Sequence, residues 1–194
     1  MAATYHLIEE IGTSAKSIGH ANIQGLSQSS NALFENPASI DPKNSKSFSM
    51  FYTQFGNDIN YANGSVYYNI PSIGFIGFGI MQTSIDGLLK AKEVNDEFVE
   101  DGTFAYLNRV IKLSYTSQKT RTYFKKYKIK IGASASYYSS TIDTITGKGN
   151  NMDIGIKINY PENQISIIGK NILPNKVSYS NQQTETIKES LVIA

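Results

Sequence analysis

The side chains in this sequence that could do chemistry are two histidines, a group of acids and a set of glycines, and none of them completes a site. His6 and His20 are the only histidines; they fall in the N-terminal segment without a matching ligand set for a metal. Glu93, Asp96, Glu97, Glu100 and Asp101 could chelate a divalent cation, but acids crowded into one polar stretch are read here as a solvated outer loop. Gly74, Gly77 and Gly79 have neither the order nor the following helix of a phosphate loop, and are read as close-packing positions within a strand, against the N-terminal segment. With no cysteine there is no thiol nucleophile, thiolate zinc site or disulfide. No Ser-His-Asp or paired-carboxylate arrangement can be assembled. The expectation is a non-enzymatic protein with no catalytic residue, cofactor or metal.

The elements that would carry other roles are strands. The chain has 194 residues, enough for one ordinary domain. A formal charge of +2, from 18 Lys and Arg against 16 Asp and Glu, gives no case for a nucleic-acid partner. The first residues have neither the basic nor the apolar region of a signal peptide, so a leader is expected to be absent or already removed. The longest apolar stretch, residues 73–81, is half the length of a membrane helix and holds three glycines. A spanning β-strand needs only about 9–11 residues of alternating character, and 13 tyrosines and 9 phenylalanines beside a mean hydropathy of −0.27 suit that case.

Residues 13–39 are small and polar with no period of two. Ser29 and Ser30 before Asn31, Ala32, Leu33, Phe34 and Glu35 predict a capped turn of helix, after which Pro37 drives Asn36 out of the helical region. From about residue 46 the pattern predicts strands at 47–55, 59–70, 72–83, 103–117, 127–142, 151–160 and 164–170, with an eighth starting near 188. In the fifth, Tyr127, Ile129, Ile131, Ala133, Ala135 and Tyr137 share one face, and Lys128, Lys130, Gly132, Ser134, Ser136 and Tyr138 the other. In the sixth, Met152, Ile154, Ile156, Ile158 and Tyr160 oppose Asn151, Asp153, Gly155, Lys157 and Asn159.

Such alternation fits a soluble sandwich with its apolar face inward or a membrane barrel with its apolar face toward lipid. Tyr127 and Tyr137 are separated by roughly 33 Å of strand, or roughly 25 Å vertically at a tilt of about 40°, with only Ile and Ala between them on that face. That spacing matches two aromatic girdles. Connection lengths point the same way: with the N-terminus periplasmic, three of the four outward connections, 84–102, 143–150 and 171–187, read as long loops beside the short Gly56-Asn57-Asp58, and two of the three inward ones as short turns, 119–126 being the longer.

The order of these elements resembles the PorV/PorQ family of outer-membrane proteins, relatives of FadL-type long-chain fatty acid transporters, over nearly the whole chain. The likeness rests on Ser17-Ile18-Gly19-His20-Ala21, on Asn31 through Asn36-Pro37-Ala38, on Gln54-Phe55-Gly56-Asn57-Asp58-Ile59-Asn60-Tyr61, and on Phe104-Ala105-Tyr106 leading to Leu113-Ser114-Tyr115. Met152-Asp153-Ile154-Gly155 and Gly169-Lys170-Asn171-Ile172 continue it. His20 and Ser39-Ile40 depart from the family pattern. The resemblance implies a barrel of about fourteen strands, of which this chain supplies about eight, a location in the outer membrane of a Gram-negative bacterium, and a role in uptake or type IX secretion.

The fold expected is therefore all-β, an antiparallel outer-membrane β-barrel that is incomplete as given, with an N-terminal plug over 1–45 and strands over 46–194. Gly19, Ala21, Asn36, Pro37 and Ala38 are expected in the plug or gate, Lys128, Lys130, Asp153 and Lys157 toward the lumen, and Tyr127, Tyr137 and Tyr160 in the lipid-facing girdle. The partners expected are outer-membrane lipid, and hydrophobic small molecules or secretion-system proteins.

Overall fold

The computed structural model describes residues 8, 11–25, 27–40, 45–56, 58–94, 96–117, 121–123 (backbone only), 127–160, 163–173 and 176–194. It is an all-β chain built on one antiparallel sheet. The strands are β1 (Lys46–Phe55), β2 (Ile59–Ile70), β3 (Gly74–Val94), β4 (Glu97–Ser117), β5 (Arg121–Tyr123), β6 (Tyr127–Ile142), β7 (Ile145–Tyr160), β8 (Asn163–Lys170), β9 (Lys176–Tyr179), β10 (Thr184–Thr186) and β11 (Ser190–Ile193). The path runs β1-β2-β3-β4-β6-β7-β8-β11, so strands consecutive in the chain are almost always neighbours in the sheet. Among the described residues β1 pairs with β2 alone and β11 with β8 alone, and no ladder joins the two.

Two gaps in the meander are filled locally. β5 pairs with Tyr127, Lys128 and Ile129 of β6, just past the last β4 pair at Gly132. After β8 the chain leaves the sheet at Asn171, whose φ is 55°, and returns as β9, which lies along β7 through Gly147 and Lys148. β10 folds back onto β9 before β11 rejoins β8.

The sheet differs from the sequence expectation mainly at its outer ends. Residues 84–102, expected as a loop, continue β3 and β4 as one long hairpin turning at Asp96, with register shifts after Ile85 and Leu89. Residues 145–150 belong to β7, which leaves a tight turn at Asp143. Of the three outward connections expected to be long, only 171–189 is, and there β9 and β10 form a small hairpin. The reason is that charged and small residues such as Lys90, Lys92, Glu93, Gly147 and Gly149 can sit in a ladder where no apolar alternation announces it. Lys90 is itself tied to Asp143 at 2.7 Å. The hydrogen bond and charge of that carboxylate raise the Lys90 pKa above its ordinary value.

The two faces of the sheet are inverted relative to a protein that hides its oil. Outward positions carry Phe48, Met50, Tyr52, Val66, Tyr68, Phe78, Leu113, Ile131, Ile154, Leu191 and Ile193, all exposed, with Met50 at 74%. Inward positions carry Asn63, Ser65, Asn108, Lys112, Ser114, Thr116, Lys130, Ser134, Ser136, Asn151, Asp153, Lys157, Ser166 and Lys170, all buried, with Lys112 at 0%. What covers this inward face is the N-terminal segment. It forms a helical turn at Ala15–Gly19, a second at Ala32–Glu35 and a 3-10 turn at Pro37–Ser39. Leu33 and Phe34 pack among Tyr61, Met81, Val110 and Tyr138 of the wall, and Ala32 and Ile40 against the edge-to-face pair Tyr67 and Phe75.

That contact requires the sheet to curl. Ser30 Oγ donates to the Ser65 carbonyl on β2, and Asn36 Nδ2 to Ser166 Oγ on β8. Between β2 and β8 lie five inter-strand spacings, about 24 Å if flat. The stretch from residue 30 to 36, with its turn of helix, spans only about 13 Å. Side-chain reach at the two ends covers part of that difference, and the wall curves round the segment to bury every described residue from 30 to 40.

Candidate functional site

The site is the junction between the N-terminal segment and the inner wall. Every described residue from 30 to 40 is buried. The helix at Ala32–Glu35 begins at Asn31, which makes no side-chain cap; its Oδ1 instead accepts from Ser27 Oγ. Ser30, expected to cap, is spent on β2. Asn36 takes an extended conformation (φ −133°, ψ 110°) ahead of Pro37, and its Oδ1 accepts from the Ala38 amide at 2.9 Å. Its Nδ2 donates to Ser166 Oγ at 2.6 Å and to the Ile156 carbonyl at 3.3 Å. Thr116 Oγ1 donates to the Pro37 carbonyl, and Lys130 Nζ to the Ile40 carbonyl at 2.9 Å. The short stretch from Asn36 to Ile40 is thus bonded to β4, β6, β7 and β8.

Glycines make the approach possible. A Cβ on Gly132 would lie 2.5 Å from the Pro37 carbonyl carbon, one on Gly155 1.9 Å from Asn36 Oδ1, and one on Gly79 2.5 Å from the Phe34 ring. Gly77 is similarly close to Leu33, at 3.4 Å, although Ser114 Oγ crowds it first. At these positions glycine serves to let another backbone or ring come near.

Within the segment, Glu35 is the organising acid. Its carboxylate accepts from Thr13 Oγ1 and the Gly25 amide, while Asn31 Nδ2 donates to the same threonine hydroxyl. Tyr61 OH and Asn63 Nδ2 donate to the Gly12 and Thr13 carbonyls, fixing the near end to β2.

Beside the segment the wall carries a buried polar network. Lys112 Nζ lies 2.7 Å from Asp153 Oδ2, which also accepts from Ser134 Oγ, and Asp153 Oδ1 accepts from the Asn171 amide. Asn171 in turn receives Tyr138 OH and donates to the Lys188 carbonyl. This network pins the point where the chain leaves the sheet. On the same face Thr83 Oγ1, Asn108 Oδ1, Ser136 Oγ, Ser140 Oγ and Asn151 Nδ2 are buried without a protein hydrogen-bond partner. Near Ile8 and Ile11 a cavity of about 380 Å³ is lined by Phe55, Ile59, Ile85 and Tyr106 together with Thr83 and Asn108.

Asn36, Pro37 and Ala38 are therefore brought to the wall, and Lys130, Asp153 and Lys157 lie buried on the inward face. Lys128 shares that face by alternation but is exposed, because it lies beyond the covered part of β6. Gly19 and Ala21 are not brought to the wall. Both are exposed in a tight turn closed by the Asn22 amide donating to the Ser17 carbonyl, and a Cβ on Gly19 would meet nothing within 4 Å. Tyr127, Tyr137 and Tyr160 are on the outward face, each about two-fifths exposed, and Tyr127 stacks on Tyr160 at 5.1 Å.

No family model, curated protein or solved structure matches this chain. The geometry therefore stands alone. Lys112, Lys170, Glu35, Thr116 and Ser166 are contributors that sequence reading missed. Lys112 had a signal, a lone charge between Ile111 and Leu113 in an alternating strand; the hydroxyls and Glu35 had none. His20 is exposed, its Nδ1 2.8 Å from the Lys16 carbonyl; His6 lies outside the described residues. Among the described residues no three His, Cys, Asp or Glu groups come together as a metal site, and the acids of the β3–β4 hairpin are exposed. No described helix is long and apolar enough to cross a membrane, which says nothing of strands.

Proposed function

We propose that this chain is the plug-bearing part of an outer-membrane β-barrel of the PorV/PorQ and FadL-like kind, a non-enzymatic transport or secretion component of a Gram-negative bacterium whose plug controls passage. The observation that carries the reading is the inversion of the sheet. A fully exposed aliphatic or aromatic side chain forgoes about 1.5–3 kcal/mol of burial, and an outward face from Phe48 and Met50 to Leu191 and Ile193 exposes many at once. Contiguous patches beyond a few hundred Å² mark an interaction surface. Lipid is the partner that suits an antiparallel meander with apolar residues on its outward face and polar residues on its covered face. A sandwich would have put Ile131 and Ile154 inside and the lysines in water.

The apolar cavity at Phe55, Ile59, Ile85 and Tyr106 supports hydrophobic small molecules as one class of cargo. A second reading, a secretion-associated scaffold whose plug simply fills the lumen, is favoured by the density of bonds from residues 30–40 to the wall. Deleting residues 14–40 from the full-length protein separates the two. A gate predicts a large rise in bilayer conductance with the barrel still folded. Unchanged conductance with loss of a secreted-protein partner favours the scaffold. Stable, monodisperse protein without detergent ends the membrane reading.

A further inference from the structure

Past the last rungs that tie them to the wall, at Ile85 with β2 and at Tyr106 with β6, β3 and β4 run on as a ribbon paired only with each other. Residues 86–94 and 97–105 carry it roughly 30 Å beyond the neighbouring strands. A bulge on each strand marks the departure. β3 has an extra residue between Ile85 and Leu88, β4 has one opposite the step from Leu89 to Ala91, and Gly87 and Gly102 take φ of 71° and 91° there. The two extra residues offset one another in register, while both bend and twist the ribbon, as bulges do where a strand end is re-aimed. A ribbon of two strands alone is marginally stable in water, which leaves a place for a partner.

Every described residue from 89 to 103 is exposed. Phe98 reaches 78% and Leu89 69%, beside 74% for Met50 on the outward face of the wall. Residues 86–101 hold six of the 16 acids and two of the 18 bases, so the ribbon is strongly acidic in a chain of net charge +2. Register sorts these side chains into two unlike faces. Glu93 is opposite Phe98 and Ala91 opposite Glu100, with Leu89 next along β3. On that face Leu89, Ala91 and Phe98 make a diagonal apolar stripe that crosses from β3 to β4 with a glutamate on either side. No base of the ribbon shares it. Lys90 and Lys92 are on the other face, where Lys90 holds Asp143 of the β6–β7 turn at 2.7 Å.

We propose that the face of Leu89, Ala91 and Phe98 docks an amphipathic helix of a partner protein, one whose apolar stripe is flanked by lysine or arginine. The two stripes lie along each other, and the flanking cations of the helix meet Glu93 and Glu100. Apolar anchors fix such a helix and opposite charge selects it. Lipid is a poor cover here, because it strips water from both glutamates. A metal ion is no better served, since among the described residues no three acids come together. Docking at this face requires neither the plug nor a passage through the barrel.

The test is amide hydrogen exchange of the full-length protein with a helical peptide made only of leucine and lysine. A helix laid on the ribbon holds it against opening, so exchange in residues 88–94 and 97–103 should slow several-fold. The same peptide with glutamate for lysine, or with alanine for leucine, should leave the ribbon unchanged. Phe98→Ser should abolish the slowing, Glu93→Gln with Glu100→Gln should weaken it several-fold, and Val99→Ser on the opposite face should retain it, all with an unchanged far-UV β-sheet signal. No slowing with the leucine-lysine peptide overturns the proposal. So does equal slowing by the glutamate peptide, or slowing that survives Phe98→Ser.

Discussion

Gly132 and Gly155 stand directly opposite each other in the β6–β7 ladder, and Asn36, Pro37 and Ala38 lie across both. One bare cross-strand pair is the seat of the plug; from it Asn36 Nδ2 donates to Ser166 Oγ on β8, Thr116 Oγ1 of β4 donates to the Pro37 carbonyl, and farther along the segment Ser30 Oγ donates to the Ser65 carbonyl on β2.

Filling that seat should lift the plug without disturbing the ladder. Gly132→Val or Gly155→Val places atoms inside the contact distances of Pro37 and Asn36, and overpacking of this kind costs about 1–3 kcal/mol. Protease cleavage within residues 27–40 should rise in both variants while the far-UV β-sheet signal is unchanged. Gly64→Ala, at an outward position with nothing within 4 Å, is the control and should leave the plug protected. Equal protection in all three variants would refute the seat.

Asn36→Ala removes a donor to Ser166 Oγ and Ile156 O and an acceptor for the Ala38 amide. Leaving buried partners unsatisfied costs about 1–3 kcal/mol. Amide hydrogen exchange should speed up across residues 30–40 and hardly change in β2 and β3. A carboxylate can still accept from Ala38 but cannot donate to the Ile156 carbonyl, so Asn36→Asp should loosen the plug too.

The Lys112–Asp153 pair is buried at both ends, at 0% and 3% side-chain exposure. Breaking such a pair from one side costs about 3–5 kcal/mol, whereas replacing both members with apolar residues of similar volume is often nearly neutral. Lys112→Met and Asp153→Leu should each lower the temperature of the gel-shift transition, and the double variant should recover much of the loss. Asp153 also holds the Asn171 amide, so its single variant should further expose 171–173 to protease. Additive losses would mean the two residues do not act as a pair.

On the outward face, Ile131 and Ile154 are 56% and 42% exposed. In water an Ile→Arg change at such positions is close to neutral. At the middle of a bilayer it costs about 2–4 kcal/mol. Ile131→Arg and Ile154→Arg should therefore slow and reduce folding of the full-length protein into lipid vesicles, with little effect for Thr146→Arg at the exposed start of β7. Indifference to all three would remove lipid as the covering partner.

By itself the sequence determined which residues share a face. β2 at 59–70 and β6 at 127–142 were legible to their ends, as was the division of β7 into Ile154, Ile156 and Ile158 on one side and Asp153, Gly155 and Lys157 on the other. Alternation is a property of one extended backbone and needs no partner strand. The Asn36-Pro37 step was legible for the same reason, since proline restricts its predecessor locally. The tertiary structure alone decided the rest. Register set Gly132 against Gly155 and brought Lys112 to Asp153, both pairings between residues well separated in the chain. The long β3–β4 hairpin and β9 are held by neighbouring strands despite charged or irregular sequences, so no periodicity marks them. Which face is inside was also undecided locally: a strand with one apolar side can turn it either way. The N-terminal segment settles the matter by curling the sheet around its own buried residues, which leaves the polar side covered and the apolar side out.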